Sequence, residues 1–171
     1  MMSDAQLSGL VSRVADWALE NRLRIVTAES CTGGWIAKAF TDLAGSSRWF
    51  ECGYVTYSNA AKVRDLGVTQ QTLDSFGAVS EQTVREMAAG ANRVSGAEVS
   101  IAVSGIAGPG GGSADKPVGT VWFCVGRRPE EGRSADLVLE TDRQVFSGDR
   151  EMVRRASVQR ALELVLGFER R

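Results

Sequence analysis

The sequence predicts a single α/β or α+β domain, residues 1–171, with a mixed β-sheet and helices on its faces. The chain has 171 residues and 43% hydrophobic content, which suffices for one sizeable core but not for two ordinary domains. Segments with helical and with strand periodicity alternate along the chain, as in α/β and α+β proteins. No internal repeat, linker or low-complexity tract separates them.

The first segments predict a helix, a strand and a second helix. Apolar residues recur at helical spacing over residues 4–21, which predicts an amphipathic helix. The sequence RIVTAE, residues 24–29, indicates a short buried strand. Residues 32–44 indicate a helix with Gly45 just past its C-terminus.

The middle of the chain continues the alternation. Residues 48–58 are rich in aromatic and β-branched side chains and predict a strand, which a short helix over 59–67 follows. Residues 80–96 begin with a serine and predict another helix. This helix leads directly into a predicted strand over 97–105.

Glycines dominate residues 105–119, which therefore form a loop. Strands over 120–126 and 135–146 predict a hairpin with residues 127–134 at its tip. A long helix over 149–168 follows them.

Charge and composition exclude several classes of protein. The formal net charge is −1, whereas a dedicated nucleic-acid binder carries a basic excess. The first twenty residues lack the pattern of a secretory leader, and no segment approaches the roughly 18 consecutive apolar residues of a membrane span. Three widely spaced cysteines fit reduced thiols. We therefore expect a cytoplasmic protein that binds neither nucleic acid nor membrane.

The chain contains no histidine. A Ser-His-Asp triad, a Cys-His pair and a His-ligated metal site are therefore excluded for an active site that this chain builds alone. Any general base must be a lysine, a carboxylate, a tyrosine or water.

Ser30 lies between a predicted strand and a glycine-containing helix start, in the sequence TAESCTGGW. One interpretation is a helix N-cap, the other a nucleophile whose oxyanion would face the backbone N–H groups from Thr32 through Gly33 to Gly34. The same N–H groups would also suit an anion site. Either interpretation as a site puts ligand atoms near Ser30.

A serine nucleophile needs a base, and without histidine the natural candidate is a neutral lysine. Of the three lysines, Lys62 follows the next predicted strand, whose end could bring it beside Ser30, although a solvated helix lysine is the ordinary alternative. Tyr57 at the same strand end could relay a proton or hydrogen-bond the serine oxygen. Cys31 competes as nucleophile, but without a histidine partner it needs another means of lowering its pKa. Glu29 suits an acceptor for an N–H group or a cation.

The glycine loop and the last helix offer binding groups. The sequence GIAGPGGG lacks the ending of a P-loop and the spacing of a dinucleotide fold, but consecutive glycines can form concavities that hold anions. Arg150 and Arg154 lie one helical turn apart and could clamp a phosphate, although a solvated helix face is the default for such a pair.

Four motifs together resemble the CinA C-terminal domain family, the nicotinamide-nucleotide amidohydrolases. The motifs are AESCTGG, GYVTYSNAAK, VSGIAGPGGG with KPVGTVWF, and GDREMVRRASVQRAL. The resemblance implies a cytoplasmic three-layer α/β/α sandwich that could form a homodimer and that needs no cofactor or metal. It implies hydrolysis of the carboxamide of nicotinamide mononucleotide to nicotinic acid mononucleotide and ammonia, in pyridine nucleotide salvage.

The resemblance also assigns residues. Ser30 maps onto the nucleophile and Lys62 onto the base, with Tyr57 beside them, and the N–H groups of Thr32 and Gly33 would hold the oxyanion. The ribose phosphate or the ring would be held by a further group of residues: Ser104, Gly105, Gly108, Gly110, Gly111 and Arg150. Many relatives have threonine where this chain has Ser104; the serine keeps the hydroxyl group of threonine and lacks its methyl group.

Two alternatives remain open. A non-catalytic nucleotide-binding or competence-related regulatory module could use the same loops, although such a module has no need for Ser30 and Lys62 together. Direct nucleic-acid binding is disfavoured by the near-neutral charge. Many relatives also carry a larger N-terminal domain resembling molybdenum-cofactor biosynthesis proteins, and its pyrophosphatase activity is not expected of these residues.

Overall fold

The computed structural model describes residues 3–129 and 136–168. Within these residues the chain forms six α-helices and five β-strands, with a short 3₁₀ turn at Ser46–Arg48. The helices are α1 (Asp4–Glu20), α2 (Trp35–Thr41), α3 (Asn59–Leu66), α4 (Gln70–Phe76), α5 (Glu81–Ser95) and α6 (Arg150–Phe168). The strands are β1 (Ile25–Glu29), β2 (Phe50–Val55), β3 (Val99–Gly105), β4 (Thr120–Arg127) and β5 (Val138–Val145).

The five strands form one mixed sheet in the order β2-β1-β3-β4-β5. β1 runs parallel to both β2 and β3, whereas β4 is antiparallel to β3 and to β5. The predicted mixed sheet is therefore confirmed. The carboxyl ends of β1, β2 and β3 meet at one edge, where ligands bind in open α/β sheets.

Helices cover both faces of the sheet. On one face, Ile25, Ile101 and Phe123 pack against α1, α2 and α6. On the other, Ala28 and Ala102 pack against α3, α4 and α5. Because successive strand residues point to opposite faces, each inner strand contributes to both cores. This arrangement confirms the three-layer α/β/α sandwich.

Helix α3 begins and ends with clear signals. The side chain of Ser58 accepts a hydrogen bond from the N–H of Ala61 at 3.1 Å, so Ser58 is the N-cap of the helix. Gly67 ends the helix with a φ of 70°, a conformation that glycine adopts without strain. These two signals fix the position of Lys62 in the middle of the helix.

Helix α5 holds α3 in place at a close contact. Gly90 faces the carbonyl of Leu66, and a methyl group at this position would overlap the carbonyl oxygen. Only glycine therefore lets the two helices approach this closely.

Three local predictions differ from the structure. The second helix begins at Trp35, because the residues from Cys31 to Gly34 form a turn. Helix α4 was not predicted, since residues 70–76 contain too few apolar side chains for a helical pattern. Most of the predicted hairpin tip, 130–134, lies outside the described residues.

Candidate active site

Ser30 lies directly after β1, at the edge where the parallel strands end. Its backbone N–H donates to the carbonyl of Val103 on β3, and the N–H of Thr56, just after β2, donates to the carbonyl of Glu29. These bonds tie together the ends of all three parallel strands. The sheet thus holds the residue after β1 and the residues after β2 in one place.

Lys62 reaches Ser30 from helix α3. Its Nζ atom lies 3.0 Å from Ser30 Oγ. The Lys62 side chain is fully buried, and only 7% of Ser30 is exposed. The structure therefore brings together the two side chains on which the sequence-based hypothesis depends.

Two backbone carbonyls complete the surroundings of the Lys62 amine. Nζ donates to the carbonyl of Thr56 at 2.7 Å and to that of Tyr57 at 3.2 Å. A neutral amine has two N–H donors and one lone pair. If the carbonyls take both donors, the lone pair faces the Ser30 hydroxyl, which is the geometry of a general base.

Burial also favours the neutral amine. It lowers the pKa of Lys62 to about 8, because an ammonium loses its hydration in this interior, and the nearby Cys31 offsets this only in part. Near neutral pH a useful fraction of the protein therefore carries an amine that can accept a proton.

Cys31 is a poor competitor as nucleophile. Burial raises the pKa of its thiol to about 12, so the reactive thiolate is scarce near neutral pH. Its side chain packs into the core beneath α2 and α6. This environment suits an apolar packing residue.

Glu29 caps helix α2. Its carboxylate accepts the N–H of Ile36 at 3.0 Å and the N–H of Ala37 at 2.9 Å, and the side chain is fully buried. The expected role as an N–H acceptor matches this geometry. A carboxylate is also the favoured partner for the positive end of a helix dipole, so the α2 terminus is already occupied by this group.

The turn between Ser30 and α2 offers fewer free donors than expected. The N–H of Gly33 donates to the carbonyl of Ser30 at 3.0 Å, which corrects its assignment as an oxyanion donor. Within the described part of the chain, no hydrogen bond is formed by the N–H groups of Thr32 and Gly34. The φ angles of Gly33 and Gly34 are 63° and 90°, which explains the two glycines in the motif.

Tyr57 contributes differently from the prediction. Its side chain is 61% exposed, and its hydroxyl accepts a hydrogen bond from Arg150 at 3.2 Å. Among the described residues its hydroxyl forms no hydrogen bond with Ser30; its backbone carbonyl is what touches Lys62. The proton relay through the phenol is therefore not supported by this geometry.

The glycine loop lies beside this tyrosine. Arg150 donates to the carbonyl of Gly108 at 2.8 Å as well as to Tyr57, and so joins the start of α6 to the loop. Gly108 and Gly111 have φ angles of 81° and 88°, and the Cα of Gly110 faces open space. Gly108 is buried, whereas Gly110 and Gly111 are exposed and their backbone is accessible to a ligand.

Two other predicted binding residues serve the fold. The hydroxyl of Ser104 is buried and donates to the carbonyl of Ala78 at 2.7 Å. A side chain at Gly105 would collide with Val121 on β4. Both residues thus hold the end of β3 against its neighbours.

Arg154 makes contacts in the site that the sequence did not indicate. Its guanidinium donates to the carbonyl of Cys31 at 3.0 Å and to that of Thr32 at 2.8 Å. These contacts span more than 120 residues of chain. The arginine spacing was the only available signal, and it suggested a phosphate clamp rather than a contact with the backbone.

No group of three or more His, Cys, Asp or Glu side chains in the described ranges is arranged to hold a metal ion. In the same ranges, every helix is too short or too polar to span a bilayer.

Fold and site together define an α/β/α protein with a buried serine–lysine pair at the carboxyl edge of its sheet. The chain belongs to the CinA C-terminal domain family, whose profile matches residues 7–168. This confirms the resemblance inferred from the four motifs.

Named relatives cover nearly the whole chain. The nicotinamide-nucleotide amidohydrolase PncC of Escherichia coli K12 is 49% identical over 162 residues, which are 95% of this chain and 94% of the relative. The protein of the same name from Pseudomonas putida is 48% identical over 165 residues, 95% of this chain and 98% of the relative. The crystal structure of the competence/damage inducible protein CihA from Agrobacterium tumefaciens matches with a TM-score of 0.87 at 41% identity, covering 99% and 98% of the two chains.

Proposed function

We propose that this chain is a cytoplasmic nicotinamide-nucleotide amidohydrolase of pyridine nucleotide salvage. It converts the carboxamide of nicotinamide mononucleotide to the carboxylate of nicotinic acid mononucleotide and releases ammonia. The observation that carries the proposal is the 3.0 Å contact between Lys62 Nζ and Ser30 Oγ in a buried setting. The names of the relatives supply the substrate.

The first half of the reaction acylates Ser30. Neutral Lys62 accepts the hydroxyl proton as Ser30 Oγ attacks the carboxamide carbon, and a tetrahedral oxyanion forms. Lys62 then returns the proton to the amide nitrogen, the carbon–nitrogen bond breaks, and ammonia leaves. Because the carbonyls of Thr56 and Tyr57 hold Nζ, the lone pair that accepts the proton and the N–H that later donates it point in the same direction.

The second half hydrolyses the acyl-enzyme. A water molecule attacks the ester carbon while Lys62 accepts one of its protons. The bond to Ser30 Oγ then breaks, the proton returns to the serine, and the carboxylic acid product ionises. The single lysine therefore acts as base and as acid in each half-reaction.

The developing oxyanion needs donors that nothing else occupies. The N–H groups of Thr32 and Gly34 meet this requirement, whereas the N–H of Gly33 is bonded to the Ser30 carbonyl. Donors of this kind typically contribute 10²–10³-fold to kcat. The glycine loop around Gly108 and the guanidinium of Arg150 lie at the same edge and are the groups we assign to the nucleotide.

The experiment is ammonia release from nicotinamide mononucleotide at matched folded concentration. We expect Ser30→Ala and Lys62→Ala to lose at least about 10³-fold in kcat. Lys38→Ala is the matched control, because this lysine is exposed on α2 and forms a surface ion pair with Asp42. We expect it to keep full activity.

Two results would contradict the proposal. Activity that survives in Ser30→Ala would mean that another group is the nucleophile. A wild-type protein that binds the nucleotide without releasing ammonia would instead favour the non-catalytic binding module.

A further inference from the structure

The guanidinium of Arg154 holds the turn that follows Ser30. Its Nε donates to the carbonyl of Cys31 at 3.0 Å, and one terminal nitrogen donates to the carbonyl of Thr32 at 2.8 Å. Two parallel bonds from a planar guanidinium fix an orientation as well as a distance. The Cys31–Thr32 and Thr32–Gly33 peptide groups are therefore oriented by a side chain from α6.

These bonds also set the direction of a free donor. The peptide between Cys31 and Thr32 is trans, and in a trans peptide the C=O and the N–H point in opposite directions. Since the Cys31 carbonyl faces Arg154, the N–H of Thr32 points away from α6. That N–H has no partner within the described residues.

Arg154 is itself held in place. Its guanidinium carbon lies 5.3 Å from the ring centre of Trp35, the first residue of α2, a distance typical of a cation–π contact. The neighbouring Arg155 contacts the same ring at 5.4 Å but pairs with Asp4 on α1. The two arginines therefore share one aromatic contact and differ in what their N–H groups bind.

We propose that Arg154 is a positioning residue for the hydrolytic reaction. It holds the Cys31 and Thr32 carbonyls so that the N–H of Thr32 faces the oxyanion formed by attack of Ser30. Arg154 touches neither substrate nor the reacting atoms. This inference rests on the proposed serine mechanism, but it does not depend on the identity of the amide.

The test compares Arg154→Gln with Arg155→Gln in two assays. The first measures kcat and KM for ammonia release from nicotinamide mononucleotide. The second measures the rate at which p-nitrophenyl acetate acetylates Ser30, followed by intact mass, with Ser30→Ala as the blank. In this second reaction the serine oxygen bonds to the acetyl carbon, p-nitrophenolate leaves, and Lys62 takes the serine proton.

We expect Arg154→Gln to lower kcat and the acetylation rate by about 10²-fold, the usual effect of a misplaced catalytic group, with little change in KM. Arg155→Gln keeps both rates, although it loses a contact to the same tryptophan. Adding guanidinium at low concentration to Arg154→Ala restores part of the rate, which a general loss of stability would not allow. Thermal unfolding of each variant confirms that folded protein is compared.

The outcomes separate the two proposals. If Ser30 of the wild type is acetylated faster than Ser30 of Arg154→Gln, but the wild type releases no ammonia, nicotinamide mononucleotide is not the substrate and the positioning role is supported. The positioning role is overturned if Arg154→Gln and Arg155→Gln have equal rates in every assay in which the wild type is active. A wild type inactive in both assays overturns it as well.

Discussion

The Nζ atom of Lys62 lies 3.0 Å from Ser30 Oγ, and both groups are nearly closed to solvent. The lysine comes from the face of the sheet covered by α3, α4 and α5, and the serine from the end of a central strand. Burying the charged ammonium of Lys62 here costs free energy, and loss of its proton removes that cost. The burial that penalises the ammonium is also what makes the amine a base.

The activity should depend on pH in a defined direction. Burial lowers the pKa of Lys62 to about 8, and only the neutral amine accepts the Ser30 proton. We expect kcat/KM to rise with pH through about 8 and to level off above it. A profile measured from about pH 6 to about pH 9.5 checks this, and a profile that is flat or falls through that range contradicts the assignment.

The lowered pKa of Lys62 should also make the free energy of unfolding depend on pH. The folded pKa of Lys62, about 8, lies below the ordinary 10.5, so between these pH values the unfolded chain binds more protons than the folded protein. The contribution of Lys62 to the free energy of unfolding therefore rises with pH across this window, while below it the cost of burying the ammonium is fully present. The pKa difference corresponds to about 3 kcal/mol.

The measurement is urea unfolding of the wild type and of Lys62→Met at several pH values. Other titrating groups contribute equally to both proteins, so the difference between them isolates Lys62. We expect this difference to shift in favour of the wild type by about 3 kcal/mol from about pH 7 to about pH 10.5. A difference independent of pH would show that Lys62 keeps an ordinary pKa in the folded protein.

Most of the fold follows from patterns in the sequence. Helices α1, α5 and α6 and the strands have apolar periodicities long enough to predict them, and their observed bounds lie within a few residues of the predictions. Helix α4 lacks such a pattern and is defined by the Thr69 N-cap and by its packing on α5. The later start of α2 follows from Glu29, whose carboxylate takes the N–H groups of Ile36 and Ala37.

The candidate site is only partly visible in the sequence. The missing histidine and the position of Lys62 after a strand made this lysine a candidate base that could lie beside Ser30, and the family resemblance assigned it that role. Several other contacts in the site use backbone carbonyls, which every residue possesses, so no residue pattern marks them. Two examples are the hydrogen bond from Lys62 to the carbonyl of Thr56 and the hydrogen bonds from Arg154 to the carbonyls of Cys31 and Thr32.

Cys31 should be dispensable for chemistry. Burial raises its pKa to about 12, so iodoacetamide at neutral pH should leave it unmodified in the folded protein. We expect Cys31→Ala to cost about 1 kcal/mol of stability and to keep most of the kcat. Peptide mapping and ammonia release check both statements, and loss of turnover to the level of Ser30→Ala would identify the thiol as the nucleophile.

Replacing Gly90 should lower both the stability of the protein and its kcat. The methyl group of Gly90→Ala would overlap the Leu66 carbonyl, so α3 must move away from α5 and take Lys62 with it. We expect the free energy of unfolding to fall by about 2–3 kcal/mol and kcat to fall at matched folded concentration. Urea unfolding and ammonia release measure the two effects.

Gly9→Ala is the control for that experiment. Gly9 lies in α1, and an added Cβ would meet no atom within 4 Å apart from the local helix backbone; alanine should stabilise the helix by about 1 kcal/mol without affecting kcat. If Gly90→Ala were as stable and as active as Gly9→Ala, the close approach of α3 and α5 would not set the position of the lysine.

Arg150 should determine affinity for the phosphate of the substrate. Its guanidinium is exposed at the start of α6 and already bridges Tyr57 and Gly108, so it can also face a phosphate beside the glycine loop. A charge-assisted hydrogen bond contributes about 1.5–3 kcal/mol. We expect Arg150→Gln to raise KM for nicotinamide mononucleotide about tenfold or more, with a smaller effect on kcat, since the contact is the same in the ground and transition states.

Nicotinamide riboside, which lacks the phosphate, separates this role from a structural one. Arg150→Gln should leave kcat/KM for the riboside nearly unchanged. Arg24→Gln serves as control, because Arg24 precedes the opposite end of β1 and pairs with Glu51 there. Equal losses on both substrates would mean that Arg150 acts by holding Tyr57 and the Gly108 loop, and that the phosphate is bound elsewhere.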